Sequence, residues 1–224
     1  MRNQAIEAIS NEKIIVIVRG VEREQLIPLA EALYSGGLRL LEITYDATGK
    51  VSDEYMAESL AMLVKHFEGR GMYFGSGTVL TERQVELTAK AGGAFIISPD
   101  VNVDVIKKTR ELGLVSIPGA LTPSEATAAN RAGADFVKLF PVTTMGTSYI
   151  KAIRAPLSHI RFLAVGGVNP DNVKDFMATG ICGVGVGGGL ANAQMVKDGK
   201  LDEIEALART YVERLKYSRK ANYS

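Results

Sequence analysis

The chain has 224 residues, 46% of them hydrophobic, with 26 basic and 25 acidic residues for a formal charge of +1. That balance leaves no electrostatic footprint for nucleic acid or an anionic membrane, and the run Ile14–Val18 is far short of the ~20 apolar residues of a bilayer span. A single cysteine, Cys182, excludes an intrachain disulfide and fits a reduced, cytoplasmic setting. The opening Met1-Arg2-Asn3-Gln4-Ala5 lacks the apolar stretch of a signal peptide, so a soluble, unexported protein is expected.

In chain order, residues 3–11 read as an extra N-terminal helix, followed by the apolar run 14–18. Residues 23–35 then place Leu26, Leu29, Ala30 and Leu33 on one helical face. Further apolar runs at 38–44, 72–74, 95–98, 115–118, 136–140, 162–165 and 183–186 alternate with amphipathic stretches. These stretches lie at 52–67, 82–91, 103–112, 123–132, 148–153, 170–178 and 202–215. Thr81, Thr122 and Asn169 stand where helices should start, with Pro123 and Pro170 in the first turn. Glycines at 36–37, 92–93, 113, 133 and 180 stand where they should stop. The apolar runs are continuous rather than alternating, as suits strands covered on both faces. Eight strand–helix units without a linker predict a single (β/α)8 barrel over residues 1–224, an open doubly wound sheet being the alternative.

Barrel enzymes carry their chemistry at the C-terminal ends of the strands, so polar residues there stand out. Lys138 lies in Phe136-Val137-Lys138-Leu139-Phe140 on the same strand face as Phe136 and Phe140. Apolar surroundings lower an amine's pKa and expose its nucleophilic form. A lysine paired with a carboxylate inside the barrel, or snorkelling to its rim, is the structural alternative. Glu42, late in Leu40-Leu41-Glu42-Ile43-Thr44, could be that partner or could move protons for imine chemistry. Arg19 ends the first strand and could grip a carboxylate or phosphate, or pair on the surface with Glu22 or Glu24. Thr78 follows the turn Gly75-Ser76-Gly77, while Pro99 and Pro118 end strands and shape the mouth. Gly166-Gly167 and Gly187-Gly188-Gly189 offer bare backbone N–H groups of the kind that bind phosphate after the last two strands of a barrel. Gly183–Gly188 also satisfies G-x-G-x-x-G, but no βαβ unit opens after it, so a dinucleotide is not expected. His66 and His159 lack metal-ligand spacing, there is no G-x-S-x-G elbow, and 7% aromatics without tryptophan disfavour base stacking.

The ordered set Leu41-Glu42-Ile43-Thr44, Gly75-Ser76-Gly77-Thr78-Val79-Leu80, Ile97-Ser98-Pro99, Pro118-Gly119, Lys138-Leu139-Phe140-Pro141 and Gly166-Gly167-Val168-Asn169 resembles the 2-dehydro-3-deoxy-6-phosphogluconate / 4-hydroxy-2-oxoglutarate aldolase family. The resemblance runs from about residue 5 to the last helix. It implies a homotrimeric barrel that uses no metal or other cofactor and reversibly cleaves a 2-keto-4-hydroxy acid to pyruvate and an aldehyde. It further implies that Lys138 forms the imine and Glu42 is the acid/base. Thr78 and Arg19 would hold the pyruvate carboxylate, Phe140 and Pro99 would pack on substrate, and Gly166, Gly167, Gly187 and Gly188 would line a distal phosphate site. Three positions depart from the family pattern: Asp46 replaces an arginine, Val165 a threonine and Gly188 a serine. Asp46 would repel a nearby anion, so that Arg19 must hold the carboxylate alone or the substrate differs, and the last two changes remove hydroxyls from the distal end. The lyase chemistry is therefore better supported than the identity of the acid. Two other readings remain to be separated from this one. A phosphate-binding epimerase or isomerase would use Lys138 electrostatically, and a non-catalytic barrel would bind a keto acid without turnover.

Overall fold

The computed structural model describes residues 2–220. Its strands form one parallel sheet: β1 (Ile14–Val18), β2 (Leu40–Thr44), β3 (Tyr73–Gly77), β4 (Phe95–Ile97), β5 (Val115–Ile117), β6 (Gly119–Ala120), β7 (Val137–Leu139), β8 (Phe162–Val165) and β9 (Gly183–Val186). The spatial order β5-β4-β3-β2-β1-β9-β8-β7-β6 makes β5 and β6 the two ends of the sheet. They are also consecutive pieces of one strand, interrupted at Pro118, which has no N–H to give to a ladder. The first piece pairs with β4 and the second with β7. Phe136 N–H donates to Ser116 and Lys138 N–H to Pro118, carrying the ladder across the seam. The nine strands thus occupy eight barrel positions, matching the eight runs read from the sequence.

Helices α1 (Arg2–Glu12), α2 (Arg23–Ser35), α3 (Asp53–His66), α4 (Glu82–Lys90), α5 (Val103–Glu111), α6 (Pro123–Ala132), α7 (Gly146–Arg154), α8 (Val173–Met177), α9 (Ala193–Lys197) and α10 (Leu201–Lys220) surround the sheet. None of them is long and apolar enough to cross a membrane. Their starts follow local chemistry. Thr122 and Glu125 exchange hydrogen bonds as a capping box with Pro123 just inside α6, and Thr81 and Asn102 accept from the first turns of α4 and α5. Asn169 accepts from Asp171 and Asn172 N–H as expected of a cap, but the turn it closes precedes α8 proper, which begins four residues later. The short α9 has no counterpart among the stretches read from the sequence, because five residues are too few to display a helical period.

Burial divides into layers. Ile14, Val16 and Val18 point outward with Leu41 and Ile43 against the helices, while Ile15, Leu40, Phe95, Ile117, Phe136 and Leu163 fill the barrel. Ala5 and Ile9 of α1 join the interior set, so α1 plugs the N-terminal end. There Asp135, 7% exposed, accepts from Arg2, from Arg110 at 2.8 Å and from the Ser116 N–H at 3.0 Å. The apolar filling leaves polar side chains to occupy the opposite end.

Candidate active site

Strand alternation that buries Leu40 and Phe136 in the barrel places Glu42 and Lys138 in the next layer towards the C-terminal mouth. Both are buried, Glu42 2% and Lys138 8% exposed. Glu42 Oε2 has no hydrogen-bond partner among the described residues. Burial pushes the Glu42 carboxyl up to about 7, against the opposing attraction of Lys138 and Arg19. Burial likewise pushes the Lys138 ammonium down; Glu42 opposes that shift and Arg19 adds to it. Each group is therefore nearer its neutral form than it would be in water. The Lys138 Nζ lies 4.5 Å from the centroid of the Phe140 ring, which is 38% exposed at the mouth.

The room for Glu42 comes from its neighbours on β3. Gly75 stands opposite Glu42 in the register, and a Cβ added to Gly77 would lie 1.5 Å from Glu42 Oε1. Any side chain at 77 would evict the carboxylate. Gly75-Ser76-Gly77, which the sequence suggested as a turn, is instead the end of β3, and its glycines are packing requirements within the sheet. Thr78 follows with φ of +56°, a conformation that costs a β-branched residue on the order of 1–3 kcal/mol. Arg19 Nη2 donates to Thr78 Oγ1 at 3.0 Å, so the guanidinium is held to the mouth rather than paired with Glu22 or Glu24. Pro99, half-buried, ends the fourth strand and packs closely on Gly119, where an added Cβ would meet the Pro99 carbonyl oxygen at 2.3 Å.

Around the mouth, Gly166 and Gly167 both take positive φ, +103° and +71°, and Gly167 and Gly188 are exposed with Gly187 half-buried between strand and loop. Asn172 Nδ2 donates to the Gly167 carbonyl at 2.9 Å and braces this turn. Asp46, read from sequence as a possible repulsive charge, is turned into its own loop. It accepts from the Thr48 backbone and hydroxyl and from the Lys50 and Val51 N–H groups, which hold its carboxyl down to about 2. Sequence reasoning did not identify the Gly77–Glu42 contact, which depends on the pairing of β2 with β3. It also did not single out Thr143, which lies against the Gly166–Gly167 turn.

A buried amine and a buried, unpartnered carboxyl share a barrel mouth with a fixed guanidinium and a hydroxyl. That set can capture a carbonyl carbon, hold an adjacent carboxylate and move a proton. Comparison with known proteins adds independent weight. The family model for KDPG and KHG aldolase matches residues 5–207. A probable 2-dehydro-3-deoxy-6-phosphogalactonate aldolase of Rhizobium meliloti (strain 1021) is 38% identical over 178 residues, covering 79% of this chain and 81% of the relative. A solved native KDPGal structure superposes with a TM-score of 0.83 at 29% identity, over 92% of this chain and 96% of the other. The KDPG aldolase of Legionella pneumophila, with pyruvate captured at low pH as a covalent carbinolamine intermediate, superposes with a TM-score of 0.82. Its identity is 26%, covering 94% of this chain and 98% of that one.

Proposed function

The chain belongs to the KDPG and KHG aldolase family of carbon–carbon lyases, and from that premise we propose a Schiff-base mechanism in which Lys138 is the imine-forming amine and Glu42 the proton carrier. The observation that carries this reading is the pairing of two buried, oppositely shifted groups in one barrel mouth. Neutral Lys138 attacks C2 of a 2-keto acid to give a carbinolamine, and loss of water gives the imine. Glu42 carboxylate takes the proton from the C4 hydroxyl. The C3–C4 bond then breaks, its electrons pass into the iminium, and the aldehyde leaves. The resulting enamine takes a proton at C3 from the Glu42 carboxyl, and water releases pyruvate and the free amine.

Arg19 and Thr78 hold the pyruvate carboxylate in this scheme, supported by their 3.0 Å hydrogen bond at the mouth. Phe140 and Pro99 close the apolar sides of the keto acid. The Gly166, Gly167, Gly187 and Gly188 backbone receives the far end of the substrate, where bare N–H groups suit a phosphate. The substrate is thus a 2-keto-3-deoxy-6-phospho sugar acid or 4-hydroxy-2-oxoglutarate, with glyceraldehyde 3-phosphate or glyoxylate as the aldehyde. The Rhizobium relative's name favours the galactonate series and the Legionella protein's name the gluconate series. The reading extends to a cytoplasmic homotrimer without a metal. Light scattering at three chain masses tests the assembly.

Borohydride reduction with pyruvate should add a stable mass to the Lys138 peptide, and pyruvate release across phosphorylated and unphosphorylated acids of both series identifies the substrate. No adduct at any pH would overturn the mechanism. Retention of activity by Lys138→Arg would favour the epimerase or isomerase reading, and ligand-dependent melting without turnover the non-catalytic one.

A further inference from the structure

The glycine turns at the mouth present backbone N–H groups but no side chain, and the two neighbouring positions that could carry a hydroxyl are Val165 and Gly188. The loop after β7 brings one in from another direction. Val142 is fully buried, and its N–H donates to the Val165 carbonyl at 3.0 Å, tying the loop to the end of β8. This tie lays the next side chain, Thr143, across the Gly166–Gly167 turn. A Cβ on Gly167 would lie 2.6 Å from Thr143 Oγ1, and one on Gly166 3.3 Å from it. The hydroxyl therefore occupies space that only glycine at 167 leaves free. Thr143 is exposed beside this turn. The Gly167 carbonyl, the acceptor that would oppose an anion here, is already engaged by Asn172.

We propose that Thr143 donates its hydroxyl to the phosphate-bearing end of the keto acid and so distinguishes phosphorylated from unphosphorylated substrates, an inference that rests on the aldolase reading above. Lys138 lies on β7, immediately before the loop that carries Thr143. One short segment, residues 138–143, thus supplies both the amine for the keto carbon and a ligand for the opposite end of the same molecule. Exposure suits this role, because a substrate's terminal group meets the rim of a barrel rather than its floor.

The test measures pyruvate release from the better 6-phospho acid and from its unphosphorylated form, using wild type, Thr143→Val, Thr143→Ala, Thr143→Ser and, as a control hydroxyl on the same loop, Thr144→Val. Losing a hydrogen bond to a charged group should raise KM for the phosphorylated acid about tenfold in the Val and Ala variants. KM for the unphosphorylated acid, and kcat for both, should stay within about twofold, with Ser restoring KM and Thr144→Val leaving it unchanged. An equal rise on both acids, no rise on either, or a wild type that does not prefer the phosphorylated acid overturns the inference. Borohydride capture of pyruvate by the wild type separates the two levels. An adduct with no Thr143 effect removes this inference alone, whereas no adduct removes the aldolase reading and this inference with it.

Discussion

The barrel holds a buried carboxylate near each end, and the two are treated in opposite ways. Asp135, at the end plugged by α1, accepts from two guanidiniums and a backbone N–H. Glu42, at the open end, keeps Oε2 without a hydrogen-bond partner among the described residues, and burial raises its carboxyl to about 7. Burying a carboxylate is costly unless its oxygens are satisfied. At the closed end the fold meets that cost with hydrogen bonds and gains a clamp joining α1, α5, the middle of β5 and the residue before Phe136. At the open end the cost is left standing, and the carboxyl is held nearer its neutral form. A satisfied ion cluster supports the framework, while an unsatisfied one signals chemistry.

Four changes would break or sharpen this contrast. The largest effect is expected of Lys138→Met, which removes the amine. Turnover should fall on the order of 10⁴-fold or more and the borohydride adduct should vanish. Thermal melting should show an unchanged or higher Tm, since a costly buried amine is replaced by an apolar chain of similar length. A large fall in Tm would mean that Lys138 is structural.

Glu42→Gln comes next, with kcat for cleavage falling about 10²- to 10⁴-fold. Wild-type kcat/KM should lose activity on the acid side of about pH 7, as Glu42 takes up a proton. The same residue gives a stability prediction. A carboxyl whose folded pKa stands above its unfolded one binds a proton that the unfolded chain releases. Its burial therefore costs nothing well below pH 4.5 and progressively more as pH rises from there through about 7. Wild-type Tm should carry a component that declines across that window, and Glu42→Gln should remove it. An identical pH dependence in the variant would count against an uncompensated Glu42.

Gly77→Ala tests the space that admits the carboxylate. The new methyl must displace Glu42, and a shift of about 1 Å in a reacting group can cost 10²-fold in rate. The kinetic loss should appear in kcat with the barrel's circular dichroism retained. Near-wild-type kcat would show that the carboxylate's position is not critical. The smallest effect on turnover should come from Asp135→Asn, with kcat per folded molecule close to wild type. Urea unfolding should instead show a loss of about 2 kcal/mol, less than for a fully buried pair because the Arg2 and Arg110 side chains are 26% and 37% exposed. If catalysis suffered more than stability, the assignment of roles to the two ends would be wrong.

Much of the frame was legible in the chain. The runs 14–18, 162–165 and 183–186 are strands over those same residues, and 23–35 and 123–132 are helices over theirs. Apolar runs, Thr81, Thr122 and the closing glycines act within a few residues of themselves, so their signal survives without a third dimension. Lys138 and Glu42 stood out for a similar reason, each interrupting an apolar strand. Where the structure added detail, the cause was a partner distant in sequence. The fifth strand divides at Pro118 between two neighbours, β4 and β7, that are themselves about forty residues apart. Asp46, which in the sequence alone reads as a repulsive charge, spends its oxygens on the loop that follows it.

By itself, then, the sequence determined the alternation of strands and helices and the residue types able to form and protonate an imine, because periodicity and side-chain chemistry are local properties. Only the tertiary structure decided that Glu42 Oε2 has no hydrogen-bond partner among the described residues, that Gly77 must have no side chain, that Arg19 binds Thr78, and that Thr143 lies over Gly167. Desolvation and close approach are properties of what surrounds a group, and in a closed barrel those surroundings come from strands far apart in the chain.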